Sequence, residues 1–269
     1  MIRKRTFFLA LLLPLMLSSC SKYQKLLKST DNENKYVMAM AYYDDGDYYR
    51  AIQLFDQLMP FFRGTERAET IAFAYANAHY EQRDYILASY YFRQFAKNFP
   101  NSKRAEEAAF MSAYCNYVDS PASSLDQTVT LDAIKDMQLF INQYPKSERV
   151  AKANELIDVL RLKLETKAYD IANLYSKMED YKAAVIGFQN LIKDYPDSKY
   201  REIAMFNIAM AYYFYAQSSI EKKQGERFQL CSESVDNFLS NFPDSQYVKD
   251  AKAIQKNAQK NLESLTILQ

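Results

Sequence analysis

The sequence has no tryptophan, one histidine, three cysteines and only four glycines in 269 residues. So few glycines argue against a sheet with tight hairpins, whose two-residue turns depend on glycine-like backbone angles. The abundance of Ala, Lys, Gln, Leu and Tyr suits helices instead. With a single histidine, His79, and no zinc-type Cys/His spacing, metal chemistry has no motif, and no phosphate loop or nucleophile elbow is present. Basic and acidic residues number 34 and 33, so the chain lacks the basic excess that nucleic acid would ask for. Beyond the first twenty residues no stretch is long and apolar enough to span a bilayer, which takes about 20 residues.

The N-terminus reads as an address. Arg3, Lys4 and Arg5 precede an apolar run from Phe7 to Leu17 that is interrupted by Pro14. Such a run is too short for a membrane-spanning helix and has the size of a secretory signal's apolar region. It ends in Leu17-Ser18-Ser19-Cys20, similar to the lipobox of bacterial lipoproteins, so residues 1–19 are expected to be a signal peptide and Cys20 the lipidation site. Multiple acyl chains anchor a protein stably where one holds it only marginally. The expected product is tethered to a membrane by its lipid alone, and loss of the three leading basic residues leaves it slightly acidic.

The rest is repetitive. Phe99-Pro100-Asn101-Ser102, Tyr144-Pro145-Lys146-Ser147, Tyr195-Pro196-Asp197-Ser198 and Phe242-Pro243-Asp244-Ser245 are four copies of aromatic-Pro-x-Ser. Proline blocks continuation of the preceding helix and serine can cap the next one, so each copy predicts a joint between helices. The stretches before the joints carry apolar residues at i, i+4 and i+7: Ala88, Phe92, Phe95; Ala133, Met137, Phe140; Ala184, Phe188, Leu191; Cys231, Val235, Phe238. Ala51, Phe55 and Leu58 give an earlier set, and this spacing marks one helix face. The partner helices bear a small residue at Ala39, Ala76, Ala113, Ala172 and Ala209, where two helices can approach closely. Together with Gly46-Asp47-Tyr48, Arg83-Asp84-Tyr85 and Glu179-Asp180-Tyr181 this pattern resembles the tetratricopeptide (TPR) repeat.

The expected fold is therefore all-α, a TPR superhelical solenoid of about five helix pairs plus a C-terminal capping helix. The pairs span about 32–65, 69–100, 106–145, 165–196 and 202–243, the cap spans 246–265, and residues 20–34 form a lipidated linker. Residues 118–130 and 217–227 exceed the usual repeat and are expected to lengthen the turns of the third and fifth pairs. Cys115 and Cys231 fall within helical patterns two repeats apart, which suits buried thiols rather than a bridge. His79 reads as a packing residue.

One constellation points to binding. Tyr36, Phe73, Phe110, Tyr169 and Phe206 stand three residues before the small alanine, and Tyr43, Tyr80, Tyr117 and Tyr213 stand four after it, with Ser176 as the exception. Positions seven apart share a helix face. In TPR proteins such positions resemble those lining the inner groove, where rigid aromatic area suits an extended or hairpin segment of another protein. The competing reading is that the rings pack between neighbouring helices.

Lipobox, polar lead containing Tyr23-Gln24-Lys25-Leu26-Leu27-Lys28, five TPR units with aromatic-Pro-x-Ser joints and closing helix together resemble the BamD family, lipoproteins of the outer-membrane barrel assembly machinery. The resemblance implies a non-enzymatic, cofactor-free subunit on the periplasmic face of the outer membrane. Its N-terminal units would receive unfolded barrel precursors through Tyr36, Tyr43, Phe73, Tyr80, Phe110 and Tyr117. Its C-terminal units would dock the periplasmic domains of the barrel-forming core subunit, with Arg201, one place from the family's position at Glu202, and Tyr213 as candidate contacts; accessory lipoproteins are further expected partners. Ser21, where inner-membrane lipoproteins often carry aspartate, agrees with outer-membrane sorting. Two other functions fit a TPR lipoprotein: organising other envelope or peptidoglycan machinery, and binding glycans, against which the missing tryptophan counts.

Overall fold

The computed structural model describes residues 22–267. After a short helix over 22–27 come eleven helices: α1 (Asn32–Asp44), α2 (Tyr48–Leu58), α3 (Glu66–Glu81), α4 (Tyr85–Asn98), α5 (Ala105–Asp119), α6 (Thr128–Gln143), α7 (Val150–Lys177), α8 (Tyr181–Asp194), α9 (Arg201–Gln217), α10 (Glu221–Asn241) and α11 (Val248–Ile267). No strand occurs among the described residues. The all-α fold of TPR-type helix pairs with a closing helix is what the chain adopts. Contacts group it into two compact units, one of residues up to Ser120 with Thr128–Ile157, the other of Pro121–Gln127 with the residues from Asp158 onward.

The turn within a pair is built the same way three times. Gly46, Arg83 and Glu179 take positive φ of 78°, 62° and 62°, and the aspartate that follows each is the N-cap of the second helix. Asp47, Asp84 and Asp180 accept from the backbone N–H groups of Arg50, Leu87 and Ala183, satisfying donors the helix cannot use itself. The joints between pairs work through their serine. Ser102, Ser198 and Ser245 each accept, through Oγ, the N–H two residues on, which fixes the turn leading into α5, α9 and α11.

Close packing follows the alternation of small and large side chains. Ala39, Ala76, Ala113, Ala172 and Ala209 on the first helices are fully buried, and so are Ala51, Ala88, Ala133, Ala184 and Cys231 on the second. Between these contacts Phe55, Phe92, Met137, Phe188 and Val235 fill the seam. Each large side chain buried there contributes about 1.5–3 kcal/mol. His79 is a packing residue as expected: it stacks on Tyr91 with ring centroids 5.3 Å apart and meets Tyr75 edge-on at 4.7 Å.

The lengthened turn expected in the third pair is present within narrower bounds, and the one expected in the fifth pair is not. Of residues 118–130 only 120–127 lie outside helices, with Gln127 Nε2 donating to the carbonyls of Ala122 and Leu125. Residues 217–227 do not lengthen the turn: only 218–220 separate α9 from α10, and the remainder adds helix to the start of α10. Glu, Lys, Gln and Arg propagate a helix well, and Lys223 pairs with Glu226 one turn on. Arg227 lies over the Tyr215 ring at 3.7 Å, holding the added turns against α9. Helix α7 likewise begins at Val150, well before the fourth repeat, with Ala153, Leu156, Ile157 and Leu160 buried along one face.

Candidate functional site

On each first helix the residues three before, one after and four after the buried alanine share a face. In the first unit that face is Tyr36, Met40 and Tyr43 on α1, Phe73, Asn77 and Tyr80 on α3, and Phe110, Tyr114 and Tyr117 on α5. All nine are half-buried.

Their contacts join one pair to the next. Asn77 Nδ2 donates to the Tyr43 hydroxyl at 2.7 Å, and the Tyr80 and Tyr114 rings lie 6.4 Å apart. Tyr114 stacks on both Phe110 and Tyr117. Six residues expected from sequence are thus brought into one row within this unit, and Asn77 and Tyr114 complete it. Their position halfway between the two aromatic sites, on the same i, i+4, i+7 spacing, is the signal that identifies them.

The inward side of the row serves the core. Phe73 meets Phe92 and Phe95, Phe110 meets Phe140, and Tyr43 meets Tyr48 and Phe55. The two readings of the rings therefore describe opposite sides of the same side chains: one edge packs between helices and the other meets solvent.

An arginine of the following pair covers each ring at the first position. Arg67 lies over Tyr36 at 4.7 Å, Arg104 over Phe73 at 4.8 Å and Arg149 over Phe110 at 6.0 Å. Arg67 pairs with Glu33, and Arg149 with Glu106 at 3.2 Å. Next to these contacts the joint serines bind back to the preceding pair: Ser102 Oγ donates to Glu69 and Ser147 Oγ to Glu106, both at 2.6 Å. The sequence signal for the covering residue is its place two after the joint Ser or Thr. Burial raises the Tyr43 and Tyr80 phenols above the usual 10.0, so both are neutral across the physiological range. The row itself is uncharged, with guanidinium groups along one border.

In the second unit the same cover is aromatic. Tyr200 stacks on Tyr169 with centroids 4.7 Å apart, and Tyr247 stacks on Phe206 at 4.9 Å. Ser198 Oγ donates to Glu165 at 2.8 Å, and both residues are buried. Asn173, Ser176, Tyr181, Asn207, Met210, Ala211 and Phe214 line a small cleft of about 190 Å³ on this side.

Arg201 and Tyr213 stand twelve residues apart on α9, which places them about 18 Å apart along its axis. The structure does not bring them together. The Arg201 guanidinium donates to the Pro196 carbonyl at 3.4 Å and to Asn241 Oδ1 at 3.3 Å. It borders a cleft of about 280 Å³ with Ile192, Met205, Ile208 and Asn237. Tyr213 is half-buried, its ring tilted against Phe228 and its hydroxyl accepting from Gln217.

Both described cysteines are sequestered. Cys115 and Cys231 are free, fully buried thiols, and burial pushes both up to about 12, which keeps them protonated. Among the described residues no group of three His, Cys, Asp or Glu side chains converges as a metal site. Nor is any described helix long and apolar enough to cross a membrane. Cys20 lies outside the described residues.

No match is found among the curated proteins. The YfiO family, described as outer membrane lipoprotein, matches residues 28–228, a span running from the end of the first short helix into α10 and covering the whole aromatic row. By that match the chain belongs to the YfiO family of outer membrane lipoproteins.

Proposed function

We propose that this lipoprotein is a non-enzymatic scaffold of the BamD type within the outer-membrane barrel assembly machinery. Lipid on Cys20 tethers it to the outer membrane with its helices in the periplasm, and it needs no cofactor. Its first unit captures unfolded barrel precursors along the row from Tyr36 to Tyr117, and its second unit docks the periplasmic domains of the core insertion subunit near Arg201 and Tyr213. The mechanism is binding and orientation.

The observation that carries this reading is the half-exposed aromatic row, linked from α1 through α3 to α5 by the Asn77–Tyr43 hydrogen bond and the Tyr80–Tyr114 contact. Tyrosine offers rigid contact area at low entropy cost and a hydroxyl that stays satisfied when wet. An uncharged row of this kind suits an apolar or aromatic polypeptide segment more than a charged small molecule.

Photo-cross-linkers placed at Tyr43, Tyr80 and Tyr213 in cells test the assignment. Barrel precursors trapped at the first two positions, and the core subunit at the third, are the expected result; depletion of the protein lowers several unrelated barrels together. Unchanged barrel levels under full depletion, or purification with cell-wall enzymes and no barrel-forming partner, would overturn it in favour of a scaffold for other envelope machinery.

A further inference from the structure

The short helix over 22–27 is fixed to the first helix pair. Tyr23 is 5% exposed; its hydroxyl donates to Gln53 Oε1 at 3.0 Å and lies 3.2 Å from the Arg50 carbonyl. The ring meets Tyr42 edge-on at 5.6 Å, with the Arg50 guanidinium over it at 5.3 Å. Leu26 and Leu27 pack on the same core. Lys22 and Lys25 in this helix and Lys28 in the turn that follows it are exposed, spaced three residues apart and away from the buried Tyr23. None of them joins an ion pair among the described residues. The acids that follow are engaged elsewhere: Asp31 caps α1 and Glu33 holds Arg67.

Chain length sets where this face must be. One residue separates Cys20 from Lys22, so the two Cα atoms are at most about 7 Å apart whatever the conformation between them. A lipid on Cys20 therefore enters the bilayer next to Lys22, with Lys25 and Lys28 about 4.5 and 9 Å further along a segment that is packed against the protein, none of the three ion-paired among the described residues. We propose that the Lys22, Lys25 and Lys28 face lies on anionic phospholipid headgroups, so that the first helix pair sits against the membrane in one orientation rather than hanging from a flexible leash. Lysines at a membrane surface are attracted to anionic lipid within a Debye length, and the lipid anchor holds them inside that range. The lipid supplies attachment and the lysines supply direction. This rests on the anchoring of Cys20 in the proposed function but not on the aromatic row.

The absence of tryptophan from the chain makes the test direct. Gln24→Trp, at an exposed site on the same turn, gives a single emitter, and Ile220→Trp, at a site 73% exposed in the second unit, gives a control. The full lipidated chain is reconstituted in vesicles with brominated acyl chains, with or without phosphatidylglycerol, after its intact mass has established the lipid. The expected result is quenching at Gln24→Trp that is lost when Lys22, Lys25 and Lys28 are replaced by Gln or phosphatidylglycerol is omitted, while Ile220→Trp is unaffected by either change. Quenching at Gln24→Trp that survives both changes would overturn the lysine face and leave the anchor standing. An intact mass without acyl groups would remove the anchor itself.

Discussion

Gly187 tests the close approach of helices on which the repeat depends. It lies inside α8, and a Cβ built there would sit 2.9 Å from the Ala172 Cβ and 3.2 Å from its Cα. Carbon atoms in good contact are about 3.5–4.0 Å apart, and neither of these neighbours is the end of a flexible side chain. In an exposed helix Gly→Ala gains about 1 kcal/mol from propensity. Here overpacking costs roughly 1–3 kcal/mol, and because the opposing atoms belong to another backbone the upper part of that range applies. Gly187→Ala is therefore expected to destabilise the chain by about 1–2 kcal/mol net. Gly225, in α10, has no atom within 4 Å of the corresponding position and supplies the control. Gly225→Ala should stabilise by up to about 1 kcal/mol. Urea unfolding followed by helical circular dichroism measures both, and the midpoints should move in opposite directions. A stabilising Gly187→Ala would mean that α7 and α8 are not in contact at Ala172, and the argument from small residues would fail with it.

Ser198→Ala removes the hydroxyl donated to the buried Glu165 carboxylate and the acceptor of the Tyr200 N–H, and is expected to cost about 1–3 kcal/mol in the same urea assay. His79 is held below its usual 6.5 chiefly by burial, with Asp84 3.5 Å from Nδ1 opposing that shift. The unfolded chain therefore takes up a proton below pH 6.5 that the folded chain resists, so His79's contribution is present above pH 6.5 and is lost as the pH falls through its folded value; His79→Leu should flatten the dependence of the urea midpoint between pH 7 and 5.5. Cys115 and Cys231, at about 12 against 9.0, contribute stability that is complete below pH 9 and is lost as the pH rises towards 12; replacing both with alanine should make the alkaline fall of the urea midpoint shallower. A thiol reagent at pH 8 should label neither cysteine until denaturant is added.

The parts of the fold legible in the sequence are those where one residue type has one physical use. Proline ends a helix, a small residue permits contact, and apolar residues at i, i+4 and i+7 bury a face; these located the joints, the alanines and the phenylalanine seam. The start of α7 was less evident because it begins after the third joint without a repeat's turn, although Ala153, Leu156, Ile157 and Leu160 carry the helical spacing. Residues 217–227 read as an insertion because they exceed the usual repeat, yet length does not decide between loop and helix, and their composition favours helix. The candidate site was partly legible. Tyrosine positions on a common face can be read directly, but the arginines over Tyr36, Phe73 and Phe110 belong to the next pair, and only stacking brings them there.

That borrowed cover has a consequence for where the chain can be cut. Each first-position ring is shielded by the entry of the pair after it, so the last pair depends on something that is not a repeat: Tyr247, at the entry to α11, shields Phe206. A shortened version ending at Pro243 would leave a bare aromatic plate at its tip and invite self-association, whereas one ending beyond α11 keeps its tip dressed.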